Sequence, residues 1–225
     1  MTPATPDDDA PLWRYVSWLH ELIADRDPAL RPLGDLANAL AVMRGIADDT
    51  RTCVWNMQRA APAGELLTVL TDRDEIDRRG IESRMIYSRG AVTRNPLLTS
   101  ANPYLRIGAV MDPFMVVDER LVVVNDSAAG SMWTSEDPEV VRRGVAYYEA
   151  EWAAATPALA PGEEPPFTRR TVEVGVHVAN GRADREIAGM LGVSERTVSA
   201  VVTDLGRRLG ATGRGHIIAL VNGVG

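Results

Sequence analysis

The eleven residues from Thr156 to Pro166, read as TPALAPGEEPP, hold four prolines and one glycine. No helix interior or central strand can run through them, because proline has no backbone N–H to donate and its ring fixes φ. The stretch therefore divides the chain, and its composition predicts an exposed, rather stiff linker. A length of 225 residues fits two domains, and the linker puts the boundary near three quarters of the way along. Residues 1–166 and 167–225 differ in both charge and periodicity.

The formal net charge of the chain is -7, an unpromising figure for a partner of phosphates until it is divided. Residues 1–166 carry 26 acidic and 16 basic side chains, whereas residues 167–225 carry 5 acidic and 8 basic ones. Such asymmetry is expected where one domain meets phosphates and the other does not, although the excess is modest. Every positive side chain is arginine, and there is no lysine. Walker-A nucleotide binders, whose phosphate loop ends in Lys-Ser or Lys-Thr, are thereby excluded. The one cysteine, Cys53, rules out an internal disulfide framework, and with three dispersed histidines it leaves no expected zinc site or other cofactor. No apolar run approaches the eighteen or so residues of a membrane span. The opening Met1–Asp9 is polar and acidic and lacks the basic start and apolar core of a signal peptide. A cytoplasmic protein is expected.

Before the linker, helical and strand periods alternate. Pro11 to Asp25 spaces Leu12, Val16, Leu19, Leu22 and Ile23 as an amphipathic helix, and Leu33 to Ile46 does the same with Leu36, Leu40, Val42, Met43 and Ile46. These two helices make up residues 1–47. Residues 48–155 read as an α/β sensing or dimerisation domain. Its strands are expected at Thr52–Met57, Glu82–Ser88 and Leu105–Val110, with a helix over Glu65–Arg79. A buried hairpin pairs Phe114–Val117 with Leu121–Val124 around the polar turn Asp118-Glu119-Arg120, and a helix closes the domain over Pro138–Ala154. Trp13, Trp18, Trp55, Trp133 and Trp152 read as core residues, with a ligand pocket as an open alternative. Cys53 reads as a small core residue of its strand. His177 is placed on a helix surface, and His20 and His216 on amphipathic helices.

From Phe167 the period is purely helical. Thr168 caps a helix to about Ala179 with Val172, Val176 and Val178 turned inward, and Gly181 ends it. Asp184 to Leu191 is a short second helix. Gly192-Val193-Ser194 forms the turn, in which Gly192 takes the backbone angle that ends one helix and Ser194 caps the next. A third helix over Glu195–Leu209 sets Val198, Val202, Leu205 and Leu209 on one face and Ser199, Thr203 and Arg207 on the other. A fourth spans about Arg214–Val221 with Ile217, Ile218 and Leu220.

The segment Glu186-Ile-Ala-Gly-Met-Leu-Gly-Val-Ser-Glu-Arg-Thr-Val198, followed by Arg207-Arg-Leu-Gly210, closely resembles the LuxR-type (NarL/FixJ) DNA-binding domain. The likeness covers about fifty-five residues, from Phe167-Thr168 to the apolar helix after Arg214. It implies an all-α four-helix domain over residues 167–225, making the chain α+β overall. It also implies that the third helix enters the major groove of double-stranded DNA, with Ser199, Ala200 and Thr203 toward base edges. Arg196, Thr197 and Arg207 would grip phosphates or the groove rim. Short side chains allow close approach, hydroxyls donate or accept, and an alanine methyl can pack on a thymine methyl. The sequence departs from the family's pattern at Ser199, where lysine is common, at Val201, often histidine, and at Gly206, which weakens mid-helix. Ala183 stands where a Ser or Thr cap is usual, leaving Asp184 to cap. Thr171 replaces a glutamate.

Some actinobacterial LuxR-type regulators carry an N-terminal domain that resembles phospholipase D, and the hairpin Phe114–Val124, followed by Ser131-Met-Trp133, is thinly similar to it. Catalytic members need His-x-Lys with an aspartate five residues beyond the lysine. Aligned on Asp118, those positions hold Met111 and Pro113, so no catalytic residues and no enzyme are expected. The resemblance as a whole implies a homodimeric transcriptional regulator, with a small-molecule ligand left open. The alternative is an interaction protein whose helix-turn-helix meets another transcription protein rather than DNA.

Overall fold

A computed structural model of the chain describes residues 13–34 and 36–224, apart from the side chains of Leu36, Ala37, Leu40 and Ala41. The sequence expectations for Met1–Asp9, Pro11 and Leu12, and for the apolar contacts of Leu36 and Leu40, lie outside the described residues. The fold is mixed α/β, with an N-terminal sheet domain and a C-terminal helical one. In chain order the elements are α1 (Trp13–Ala24), β1 (Arg31–Gly34), α2 (Leu36–Asp49), β2 (Cys53–Gln58), a 3-10 turn (Ala63–Glu65) and α3 (Leu66–Arg79). There follow β3 (Glu82–Ser88), α4 (Arg89–Arg94), α5 (Leu98–Ala101), β4 (Arg106–Gly108), β5 (Phe114–Val117), β6 (Leu121–Asp126), β7 (Ser131–Ser135) and α6 (Pro138–Ala154). Then come β8 (Thr156–Pro157), α7 (Arg169–Ala179), α8 (Asp184–Leu191), α9 (Glu195–Leu209) and α10 (Arg214–Val221). Among the described residues the strands order as β1-β7-β6-β5-β2-β3-β4-β8.

The chain divides into two compact units. One takes the chain up to Arg59, Ile76–Ile86 and Gly108–Thr156, and the other takes Ala60–Glu75, Tyr87–Ile107 and Pro157 onward. In the first unit the strands β1, β7, β6, β5 and β2 pair antiparallel, with Phe114 opposite Val124 and Val117 opposite Leu121 across the hairpin. All four residues of β5 are buried, so the hairpin reads as a continuous apolar run instead of an alternating one. Phe114, Val116, Val122 and Val124 pack on one face with Tyr15, Trp18, Leu19 and Leu22 of α1 and Val140, Val141 and Tyr148 of α6. Met115, Val117, Leu121 and Val123 face the other way, toward Met43 and Ile46 of α2. The unit is three layers thick: α1 and α6, sheet, α2.

The second expected helix does not begin at Leu33. Residues 31–34 form β1, in which Arg31 pairs with Thr134 and Pro32 with Trp133, and the helix starts three residues later. An edge position suits this strand, since Pro32 has no N–H to offer an outer neighbour. The short helices α4 and α5 carry too few residues to show a period, and β7, Ser131-Met-Trp-Thr-Ser135, does not alternate apolar with polar residues. The tryptophans sort as core, with Trp18 and Trp55 buried and Trp133 and Trp152 packed against the same cluster, while Trp13 is exposed. Cys53 is buried in β2.

Asp118 is a turn residue with a wider reach. Asp118 and Glu119 both have positive φ, 51° and 49°, and Arg120 N–H donates to the Val117 carbonyl, the geometry of a tight hairpin turn. The Asp118 carboxylate accepts from the backbone N–H groups of Arg51, Thr52 and Cys53 and from the Thr52 hydroxyl, at 2.7 to 3.1 Å. The turn of one hairpin thereby fixes the start of the neighbouring strand. Burial alone would raise this carboxyl's pKa, yet the hydrogen bonds from Thr52, Cys53 and Arg51 together hold it below the usual range.

Candidate nucleic-acid interface

The four C-terminal helices follow from local signals. Thr168 accepts from Thr171 N–H to start α7, and Ser194 accepts from Thr197 N–H to start α9, each satisfying an orphan donor of a first turn. Gly192 ends α8 at φ 63°, a left-handed angle that costs glycine nothing. Asp184 does not cap α8 as expected. Ala183 holds the cap position, its backbone N–H donates to the Glu186 carboxylate at 2.8 Å, and Asp184 instead receives Arg214 at 2.5 Å. Asp184 is itself the first residue of α8, and its carboxylate ties that helix to α10.

Within the second unit α7 is packed by α9 and α10 and also by α5 and the 3-10 turn. Val172, Val174, Val176 and Val178 are all fully buried, more than one stripe of a surface helix would allow. This also corrects the placement of His177, which is only 8% exposed. Desolvation, with a lesser push from Arg182, lowers its pKa. Gly206 is not merely a weak point of α9. It is buried, and a Cβ there would stand 3.1 Å from Ile217 Cδ1, so its absence lets α10 lie close against α9.

With Val198 and Leu205 buried against the other helices, the opposite face of α9 is turned out. Arg196, Ser199, Ala200, Thr203 and Arg207 are all exposed and, with Asp204, line one shallow concavity of about 510 Å³. The spacing of 3, 4, 7 and 11 residues from Arg196 is one helical stripe. Thr197 is exposed but outside that concavity; its hydroxyl lies 2.8 Å from that of Ser194, at the helix cap. Asp204, which sequence reasoning left out, sits among the others and binds Arg207. Only its i, i+3 spacing from Arg207 could have signalled this.

The arginines of the domain are mostly committed. Arg169 binds Asp74 and Glu173, Arg170 reaches the Leu191 carbonyl and Arg182 pairs with Glu186. Arg208 lies over the Phe167 ring at 4.6 Å and donates to the Pro166 carbonyl, and Arg214 holds Asp184. Among the described residues, Arg185 and Arg196 stand exposed without an ion-pair or hydrogen-bond partner. Arg185, on the first turn of α8, was not singled out by sequence.

Residues 165–221 match the profile of a family described as "Bacterial regulatory proteins, luxR family". This part of the chain is a LuxR-type helix-turn-helix domain. No curated protein matches the chain. Among solved structures it is similar to TrmBL2, an archaeal chromatin protein whose structure is described as showing a novel mode of DNA binding. That likeness has 13% identity and a TM-score of 0.44, over 65% of this chain and 62% of that one. It is also similar to Escherichia coli SdiA, at 17% identity and TM-score 0.24 over 46% and 51%. A third is phage VqmA in its complex with DPO, at 16% identity and TM-score 0.24 over 48% and 47%. The chain thus spans less than two thirds of each, and all three scores lie below 0.5. The LuxR-type assignment rests on the domain itself. Its helix-turn-helix is α8 and α9, joined through the turn at Gly192. No described helix is long and apolar enough to cross a membrane, and no described cluster of His, Cys, Asp or Glu is arranged to hold a metal ion.

Proposed function

We propose that this chain is a sequence-specific DNA-binding transcriptional regulator that acts as a homodimer. The observation that carries the reading is the outward face of α9 in a LuxR-type domain: two arginines flank a centre of small side chains, Ser199, Ala200 and Thr203. A helix with such a face can seat its backbone deep in a major groove, with Arg196 and Arg185 free to take phosphates. Two copies would place paired recognition helices on half-sites about one helical turn apart. The N-terminal sheet domain would set their separation, and it is the place for a small ligand. Its concavity of about 600 Å³, bounded by Ala29, Arg31, Val42, Ile46, Leu121 and Thr134, is large enough for one. Catalysis is no part of this reading. Asp118, on which the phospholipase D resemblance is aligned, gives its carboxylate to backbone N–H groups.

The test is capture of fragmented genomic DNA by the purified chain, with sequencing of the retained pieces, beside a variant carrying Ser199→Glu and Thr203→Arg. A motif that the wild type enriches and the variant loses or changes supports recognition through α9. Absence of enrichment at low salt, where phosphate contacts are strongest, sinks direct DNA binding and leaves a protein partner as the target of the domain.

A further inference from the structure

We infer that α9 is built to read A·T base pairs at the centre of its site, using thymine methyl groups and adenine amino groups, and to refuse guanine there. The inference rests on the DNA-binding reading and goes on to say which bases the face fits.

Thr203 decides the polarity. Its hydroxyl donates to the Ser199 carbonyl one turn earlier, at 2.8 Å, so its proton is spent inside the helix. Toward solvent the Thr203 side chain offers oxygen lone pairs and a methyl group, an acceptor beside an apolar contact. Asp204, next to it in the same concavity, adds carboxylate oxygens already engaged by Arg207. In the major groove guanine presents only acceptors, N7 and O6, whereas adenine N6 and cytosine N4 present donors. A guanine edge set against Thr203 and Asp204 would face acceptor with acceptor. The methyl groups then separate the two remaining bases. Ala200 and Thr203 offer apolar surface at adjacent positions of the exposed stripe, and of the four bases only thymine carries a methyl in that groove. An A·T pair satisfies both demands, supplying N6–H to the Thr203 oxygen and a methyl to Ala200, while a C·G pair satisfies one and sets guanine in the same place. The groups that could donate to guanine, the Ser199 hydroxyl and the Arg196 guanidinium, stand about one and two turns before Thr203 on the stripe, and Arg207 is held by Asp204.

The test uses the full chain and a pool of duplexes with a random window of about twenty base pairs, close to two helical turns. The expected motif has A·T pairs at the core of each half-site. Each core thymine is then replaced singly by deoxyuridine, which removes the methyl and leaves the pairing edge unchanged. At the position facing Ala200 the affinity should fall about threefold to fivefold, the effect of one buried methyl-sized group. Ala200→Gly should erase that preference for thymine over uracil, and Thr203→Val, which keeps a methyl and loses the acceptor, should relax the choice of adenine at its pair. The deoxyuridine arm needs no protein variant, so a misfolded variant does not rescue the idea. A motif with a G·C core, or one indifferent to uracil at every core position, overturns the inference while leaving DNA binding intact. No enriched motif at all overturns both.

Discussion

The guanidinium of Arg169 and the carboxylate of Asp74 meet in two parallel hydrogen bonds, each 2.6 Å long. Arg169 opens the first helix of the LuxR-type domain and Asp74 lies on α3, ninety-five residues earlier, yet both belong to one compact unit. Phe167 N–H donates to the Ser100 hydroxyl at 3.0 Å in the same unit. The helix-turn-helix domain is therefore continued by segments from the N-terminal half of the chain.

The Arg169–Asp74 pair has near-ideal fork geometry but is half-exposed. Exposed ion pairs are worth at most about 1 kcal/mol, and only good bidentate geometry reaches the upper part of that range. Asp74→Asn should lower the unfolding free energy of the full chain by about 0.5–1 kcal/mol, and less at high salt. A double-mutant cycle with Arg169→Gln, read by urea denaturation, should give a coupling of the same size. Additive single-mutant effects would show that the pair is ornamental.

Gly175 of α7 lies between Leu97, just before α5, and Leu205 of α9. A Cβ there would stand 2.8 Å from Leu97 Cδ1 and 3.0 Å from Leu205 Cδ2. Both leucines are fully buried, so neither has free space to move into. Alanine should gain up to about 1 kcal/mol from helix propensity and lose more from overpacking, which typically costs about 1–3 kcal/mol. The net prediction for Gly175→Ala is destabilisation in thermal or urea unfolding. Adding Leu97→Val should recover part of the loss, a non-additivity that a simple propensity effect would not show.

What the sequence reveals and what it hides have physical causes. Helices α7 to α9 are legible because each carries its own punctuation, with Thr168 and Ser194 as caps and Gly192 and Gly210 at left-handed ends. Strand β1 has no such mark, since Arg31-Pro-Leu-Gly34 becomes a strand by pairing with residues a hundred positions away. The burial of His177 is hidden for the same reason. Helix α7 is packed by α9, α10, α5 and the 3-10 turn, a tertiary event with no local period. At the site, the stripe from Arg196 to Arg207 follows from helical spacing alone. The engagement of Arg207 by Asp204 and the spent proton of Thr203 are set by side-chain rotamers, which spacing alone does not fix.

Asp118 should respond to substitution more than its half-exposed place suggests. Asp118→Asn keeps a side chain that tolerates positive φ, but it turns an amide nitrogen toward backbone donors and loses the charge. Hydrogen bonds to a charged group contribute about 1.5–3 kcal/mol when buried, and solvent screening at this turn discounts that to about 1–2 kcal/mol. Its folded pKa is lowered, so the stability it contributes is present above about pH 4, the unfolded value, and is lost as pH falls through the folded value. Urea midpoints of wild type and variant should converge as the pH falls from about 5 to about 2.5. A constant gap across that window would refute the assignment.

His177 gives a separate signature nearer neutrality. Burial depresses its pKa, with Arg182 adding to the effect and Glu173 opposing it. Above about pH 6.5 the imidazole is neutral in both the folded and unfolded chain, and stability does not change with pH on its account. As pH falls, the unfolded chain binds the proton first. Stability present above about pH 6.5 is then lost until the depressed folded value is reached. His177→Gln removes the titrating group and keeps a neutral polar side chain. Between about pH 7.5 and 5.5 the wild type should lose more stability than this variant, measured by urea unfolding of each at both pH values. Equal losses would mean that His177 titrates alike in the folded and unfolded chain, and that its burial in α7 is without consequence for its charge.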